Sequence, residues 1–435
     1  MVRLFLRTFG LMKILIVNTS ERTGGAAVAA KRLLEALNNN GIKAKMLVRD
    51  KETDDVRVVA LHAAKRQQWR FLWERWVIFW HLHFQRKRLF EIDIANTGAD
   101  ITSLPEFKEA DVIHLHWINQ GMLSLSSVRK ILQSGKPVVW TMHDLWPATA
   151  ICHYARGCER FHEHCGRCPL LPGRGSAKDL SAKVWNRKYN LLQYQHVMFV
   201  ACSRWLATQA RQSGLLTHHT VTNIPNTIDT RVFRHTDKVE AREALQLPQD
   251  KHIVLFVSQR VTDERKGMDY LVAAVDKLTT DHPELREQAV VAVLGGHAEE
   301  VAGQLSLPVK ALGYVSDPKK IVQVYNAADV FVLPSLEDNL PNTIMEAMAC
   351  GVPCVGFKVG GIPEMIDHLL NGYVARYKQS DDLAHGLHWV LCEADREALC
   401  HEALKKVGKR YSQQSVALAY EEIYDQAMAL KNYKL

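Results

Sequence analysis

Two cations, Arg260 and Lys266, stand between an apolar run and the head of a helical pattern in HIVLFVSQRVTDERKGMDYL. Cations are unfavourable at the positive end of a helix, so this placement asks for an anion. A diphosphate would meet both charges, the helix dipole and exposed N–H groups together. An exposed basic loop is the other reading. The stretch DVFVLPSLEDNLPNTIMEAMACGVPCVGFKVGGIPEMI (329–366) adds carboxylates. A short strand leads into the acidic loop Glu337-Asp338-Asn339. A helix that Asn342 or Thr343 can cap then carries Glu346 and ends near Gly351. A second strand runs into Gly360-Gly361 and another helix with Glu364. This order aims carboxylates and backbone N–H groups at a ligand beyond the carboxyl ends of a parallel sheet. Near the amino end, Gly24-Gly25 open a helix with no side chain in the way, which suits a phosphate or sugar or simply a tight turn. His143-Asp144 leave another apolar strand, a place for catalytic or structural groups. Cys152, Cys158, Cys165 and Cys168 lie in CHYARGCERFHEHCGRCPLL. Four thiols in a polar loop suit a structural zinc, with His153, His162 or His164 as substitute ligands; free thiols and a disulfide or redox pair stay open. A catalytic metal does not fit, because four thiolates leave no open position.

Apolar runs alternating with helical patterns must position these groups, which indicates an α/β fold with parallel sheets. The 435 residues exceed what one core usually holds, so two domains are expected. KILIVNT (13–19), KAKMLVR (43–49), EADVIHLHWI (109–118) and KPVVWTMHDLWP (136–147) read as strands of the first, the third of these ending in His114, His116 and Asn119. HIVLFVS, AVVAVLGG and VKALGYVS read as strands of the second. Between them, 62–90 places Trp69, Trp73, Trp76 and Trp80 at steps of four, three and four, among Arg66, Arg70, Arg75, Arg86, Lys87 and Arg88. This is one long amphipathic helix or two in succession. It packs on its own domain, or it lies on a membrane surface with Trp at headgroup level. The net charge of +8 favours an anionic ligand or surface, and no nucleic-acid motif accompanies it. Nine cysteines in so long a chain do not suggest a secreted disulfide scaffold, and no long apolar span suggests a transmembrane helix. The expected compartment is the cytosol. Residues 1–11 read as an upstream extension rather than a signal peptide, with Met12 as an alternative start.

The 329–366 stretch resembles the donor-site signature of the retaining glycosyltransferases of family 4, which have the GT-B fold. Their pattern is two Glu with seven residues between, then Ala-Met-Ala-x-Gly-x-Pro. Here Glu346 is followed by AMACGVP, and Asp338 stands where the first Glu is usual. Ile-Pro-Asn-Thr-Ile-Asp (224–229) is similar to the family's boundary segment, with Thr227 where Gly is common. The resemblance implies two Rossmann-like domains facing across a cleft: 1–235 on the acceptor side, 236–410 on the donor side with the boundary between about 228 and 248, and 411–435 crossing back. It implies that Arg260 and Lys266 hold the donor diphosphate and that Glu346 takes the ribose hydroxyls. Asp338 would face the donor sugar or phosphate, and main-chain groups of Gly313, Tyr314 and Val315 the base. The Gly24-Gly25 loop would face donor and acceptor, while Gly361 and Glu364 close the pocket. His143 would hydrogen-bond the donor sugar, with Asp144 orienting it or binding the acceptor. No cofactor is implied for catalysis, since the fixed cations replace a divalent ion. The Cys-bearing insert also looks like the subgroup that builds colanic-acid-type capsular polysaccharide. The expected donor is a uridine or guanosine diphosphate sugar. The expected acceptor is a glycan or lipid-linked glycan met at the cytoplasmic face of the inner membrane. A nucleotide-sugar epimerase or hydrolase, and a non-catalytic sugar-nucleotide-binding protein, are the alternatives.

Overall fold

The computed structural model describes residues 12–432, so the 1–11 extension and Tyr433 lie outside it. The chain divides into two compact units. The first takes the residues up to 202, then 206–224, and the chain from 416 onward; the second takes 203–205 and 225–415.

The first unit is built on seven parallel strands: β1 (Lys13–Ser20), β2 (Lys43–Asp50), β3 (Val58–Ala60), β4 (Val112–Leu115), β5 (Val138–Met142), β6 (Met198–Ala201) and β7 (Thr220–Asn223). Their order is β3-β2-β1-β4-β5-β6-β7. The strands are near-continuous apolar runs because helices cover both faces; β1 buries all but its first residue. Helix α1 (Gly25–Asn39) buries Leu33, Leu34 and Leu37 against β1 and β2. The chain returns at its end: from Val416 on, the helix Gln413–Asn432 puts Tyr420, Ile423 and Tyr424 into this core. Their hydroxyls are satisfied there, Tyr424 by His114 Nδ1 at 2.8 Å and Tyr420 by Thr141 Oγ1 at 2.8 Å.

Helix α2 (Ala64–His81) is the single helix formed by the 62–90 stretch, and its buried face is charged. Glu74 accepts from the backbone N–H groups of Ile94 and Ala95 at 3.1 and 2.7 Å. Arg75 pairs with Asp93, and Asp93 accepts from His153 Nε2 at 2.6 Å. The other ring nitrogen of His153 meets Asp144 at 2.7 Å. A buried chain of alternating charge results, in which Glu74 Oε2 and Arg75 Nε find no hydrogen-bond partner among the described residues.

The second unit has six parallel strands: β8 (His252–Arg260), β9 (Ala289–Gly296), β10 (Val309–Gly313), β11 (Val330–Leu333), β12 (Cys354–Phe357) and β13 (Gly372–Ala375). Their order is β10-β9-β8-β11-β12-β13. The unit's long stretch runs from Pro225 to Ser415. The Tyr411 carbonyl accepts from Ile228 N at 2.9 Å and Thr227 Oγ1 at 3.1 Å, fastening the start of that stretch to its end.

The buried chain predicts a pH dependence. Burial opposes the charge on His153, but Asp144 and Asp93 on either side raise its pKa to about 10 from 6.5. Its contribution is complete below about pH 6.5 and is lost as pH rises through about 10. Urea unfolding midpoints of the parent should fall between about pH 7 and about pH 10 more steeply than those of His153→Gln, which has no such proton to lose.

Candidate functional site

In each sheet the strand order reverses once, between β1 and β4 in the first and between β8 and β11 in the second. Loops leaving the two strands at such a point diverge to opposite faces and leave a crevice at the carboxyl edge. In the second unit that crevice is polar. Lys266 Nζ lies 2.6 Å from Asp338 Oδ2, which also accepts from Ser335 Oγ at 3.2 Å. Arg265 Nη1 stands 3.5 Å from the same oxygen and donates to Glu337 O at 2.9 Å. Burial alone would raise the Asp338 carboxyl, but the charges of Lys266 and Arg265 outweigh it and hold it below its ordinary value. Burial pulls the Lys266 ammonium down, and Asp338 opposes that pull.

Close backbone approach makes the pair. Lys266 ends a 3₁₀ turn, Glu264–Lys266, followed by Gly267 at φ 75. A Cβ on Gly267 would sit 2.0 Å from Pro334 O, so only glycine lets the β8 loop reach the end of β11. Gly360 and Gly361 do the same on the other side, where a Cβ would meet Asp338 O at 1.7 Å and Asn339 O at 1.9 Å. Gly361 N–H donates to Asp338 O at 3.2 Å. Gly361, expected to close the pocket, packs directly on the acidic loop.

Glu346 is half-buried on the helix Asn342–Ala349, and its Oε2 accepts from Tyr325 OH at 2.8 Å. That helix has Pro341 at its N-cap and no side-chain cap. Asn342, expected there, accepts from Asn226 Nδ2 at 3.1 Å. Arg260 ends β8, exposed and without an ion pair among the described residues, so the structure joins Lys266 to Asp338 and not to Arg260. Gly313 has φ 64 and open space around its Cβ position, with Tyr314 exposed beyond it and Val315 half-buried. Glu364, expected to close the pocket, pairs with Arg204 at 3.3 Å. Its carboxylate accepts from the N–H groups of Arg204 and Trp205, at 2.9 and 2.7 Å, and caps a helix. Arg265, Ser335 and Tyr325 were not among the expected residues. Arg265 and Ser335 adjoin the motif, whereas nothing local marks Tyr325.

In the first unit, Thr19 Oγ1 donates to Trp117 O and Asn119 O, both at 2.9 Å, tying β1 to the exit of β4. The next residues form a braced loop. Glu21 is buried and accepts from the N–H groups of Glu52 and Thr53, the Thr53 hydroxyl and Lys31. Burial would raise its pKa, but these donors lower it to about 2. Gly24 follows at φ 95, with nothing within 4 Å of its Cβ position, and α1 starts at Gly25 without a side-chain cap. His143 is half-buried at the end of β5. Its Nε2 is 2.9 Å from His116 Nδ1 and its Nδ1 is 3.5 Å from Cys202 Sγ. Burial, opposed by Asp144, lowers the His143 pKa to about 4, so the ring is neutral. His116 Nε2 and Asn119 Nδ2 are buried and lack a partner among the described residues. Asp144 follows His143 in the chain. Its oxygens accept from Trp117 Nε1, His153 Nδ1 and Trp146 N at 3.0, 2.7 and 2.8 Å.

Cys152, Cys158, Cys165 and Cys168 line one cavity of about 210 Å³, with Arg88, Arg160 and Phe161. All four are free thiols. Burial pushes Cys152 and Cys165 up to about 12. The insert thus gathers the four residues, but among the described residues no three His, Cys, Asp or Glu side chains are grouped to hold a metal ion, and the expected zinc closure is not formed.

Residues 23–232 match the Glycosyltransferase Family 4 model and residues 251–393 the Glycosyl transferases group 1 model. An uncharacterized glycosyltransferase of Methanocaldococcus jannaschii is 27% identical over 368 residues, 78% of this chain and 90% of that protein. The D-inositol 3-phosphate glycosyltransferase of Saccharomonospora viridis is 30% identical over 215 residues, 46% of this chain and 49% of that relative, so the match spans about half its length. Among solved structures, sucrose-phosphate synthase from Thermosynechococcus elongatus superposes with a TM-score of 0.65 at 20% identity, covering 96% of this chain and all of that one. Anabaena HepE, solved in complex with UDP and glucose, gives 0.62 at 17% identity, covering 95% and 100%. The chain therefore carries a family 4 glycosyltransferase domain followed by a group 1 glycosyl transferase domain on the GT-B fold, and glycosyl transfer is the activity these two domains support.

Proposed function

We propose that this glycosyltransferase moves a sugar from a uridine or guanosine diphosphate sugar to a hydroxyl of a glycan or lipid-linked glycan, with retention, in surface polysaccharide synthesis. The observation that carries the donor half is the charge balance at the carboxyl edge of β8. Arg260, Arg265 and Lys266 stand there, and Asp338 is the acid the last two share. Arg265 also meets Asp263, and Arg260, exposed at the strand end, has no ion pair among the described residues, so its charge is open to a diphosphate. Glu346, oriented by Tyr325, is the carboxylate for the ribose hydroxyls, and the turn at Gly313, Tyr314 and Val315 lies at the end of β10 for the base. HepE holds UDP and glucose, which favours uridine.

In the proposed step the bond from the anomeric carbon to the diphosphate oxygen breaks. The acceptor oxygen bonds to that carbon on the same face, and its proton passes to the departing diphosphate. Arg260 and Lys266 stabilise the growing phosphate charge without a divalent ion. Asp338 holds Lys266 in place for this task. His143, neutral and backed by His116, serves the first unit as a hydrogen-bonding group for the sugar rather than as a cation. The Gly24-Gly25 turn leaves room for a ligand at the head of α1. A lipid-linked acceptor would be met at the cytoplasmic face of the inner membrane.

Calorimetric titration with uridine and guanosine diphosphate sugars tests the donor half. Arg260→Ala should weaken binding about 10- to 100-fold, the usual cost of a lost charged hydrogen bond. Glu346→Ala should weaken it by a similar factor, whereas Tyr325→Phe should cost about tenfold or less. Equal affinity in Arg260→Ala, Glu346→Ala and the parent would end the proposal. Turnover separates the alternatives: nucleotide release that depends on a membrane extract supports transfer, and release without it supports hydrolysis. Gly361→Ala should lower both the unfolding temperature and donor affinity, because its Cβ would displace Asn339 O from 1.9 Å.

A further inference from the structure

Helix α2 is inside out. The residues it buries include Gln67, Glu74 and Arg75, whereas Trp69, Trp73, Trp76 and Trp80 are 73, 54, 52 and 56% exposed. Leu72, Phe84 and Phe90 extend the same exposed apolar set. The rings contact one another along the surface: Trp73 stacks on Trp76 at 5.4 Å, Trp76 tilts on Trp80 at 6.1 Å, and Trp80 meets Phe84 edge-on at 5.5 Å. A ladder of indoles in water is costly, and contiguous patches of this kind mark sites of interaction. The helix cannot roll to hide it. Glu74 and Arg75 are held from beneath by Ile94, Ala95 and Asp93, and rolling would strip buried charges of their partners.

The surrounding charge identifies what covers the patch. Between 62 and 90 Glu74 is the one acidic residue, and it is buried. The exposed charges are basic: Lys65 and Arg66 at one end, Arg86 and Lys87 at the other. Indoles flanked by cations match a bilayer interface, where the amphipathic ring sits at headgroup depth and the cations meet lipid phosphates. A protein surface would be expected to offer some complementary acid on this side, and a second copy would set the same cations against one another. No helix among the described residues is long and apolar enough to cross a membrane, so α2 would lie on the bilayer.

We propose that α2 is a membrane-docking element: it lies along the surface of an anionic bilayer with Trp69, Trp73, Trp76 and Trp80 in the headgroup layer and Lys65, Arg66, Arg86 and Lys87 on lipid phosphates. Docking stands independently of the transfer reaction, since no residue of the docking face belongs to either half of the proposed site. Flotation of the full chain with phosphatidylcholine vesicles, with and without about 30 mol% phosphatidylglycerol, tests it. The parent should float with the anionic vesicles and lose that binding as salt rises. Replacing the four Trp with Ala should abolish flotation, while circular dichroism and nucleotide-sugar binding stay unchanged because these side chains are exposed. Replacing Lys65, Arg66, Arg86 and Lys87 with Gln should weaken binding to anionic vesicles on the order of a thousandfold. Absence of flotation in the parent would overturn the proposal, as would equal flotation of parent and Trp variant. A parent dimer that the Trp variant turns into a monomer, without vesicle binding by the parent, would assign the face to a second copy instead.

Discussion

The second unit turns on one contact, the ion pair of Lys266 with Asp338. Both groups are drawn out of water at the point where the strand order reverses, and each would be costly alone. Their attraction, with Ser335 and Arg265 at the same carboxylate, offsets that cost. The contact in turn constrains the backbone around it. The β8 loop must touch Pro334 through Gly267, and the β12 loop must touch Asp338 and Asn339 through Gly360 and Gly361. Three glycines and one ion pair therefore form a single device that brings three strand ends together. Short as its arm is, Asp338 meets Lys266 at 2.6 Å.

The first unit solves a different problem, that of burying polar groups. His114, Thr141, Tyr420 and Tyr424 satisfy one another inside its core, and the returning helix supplies two of the four. A parallel chain runs from Arg75 through Asp93 and His153 to Asp144. Such networks are stable only when complete, and each member fixes the orientation of the next. This explains the orientation of α2, whose tryptophans face outward because its charges are required inside.

Most strand positions were legible in the sequence, whereas the short β3 and β13 were not. Apolar runs must become buried strands, and a motif of contiguous residues keeps its local geometry in any related fold. The pairings were not legible. Lys266 and Asp338 are 72 residues apart, His153 and Asp93 60, and Glu364 and Trp205 159. Each carboxylate had several eligible donors, and only chain topology decided between them. The four cysteines went to one cavity wall without a ligand cluster among the described residues. By itself the sequence determined the fold class and the kinds of group present, because periodicity and composition are local properties. Tertiary structure alone decided which face of the tryptophan helix meets water and which acid meets which base, because burial and partnership depend on residues far away along the chain.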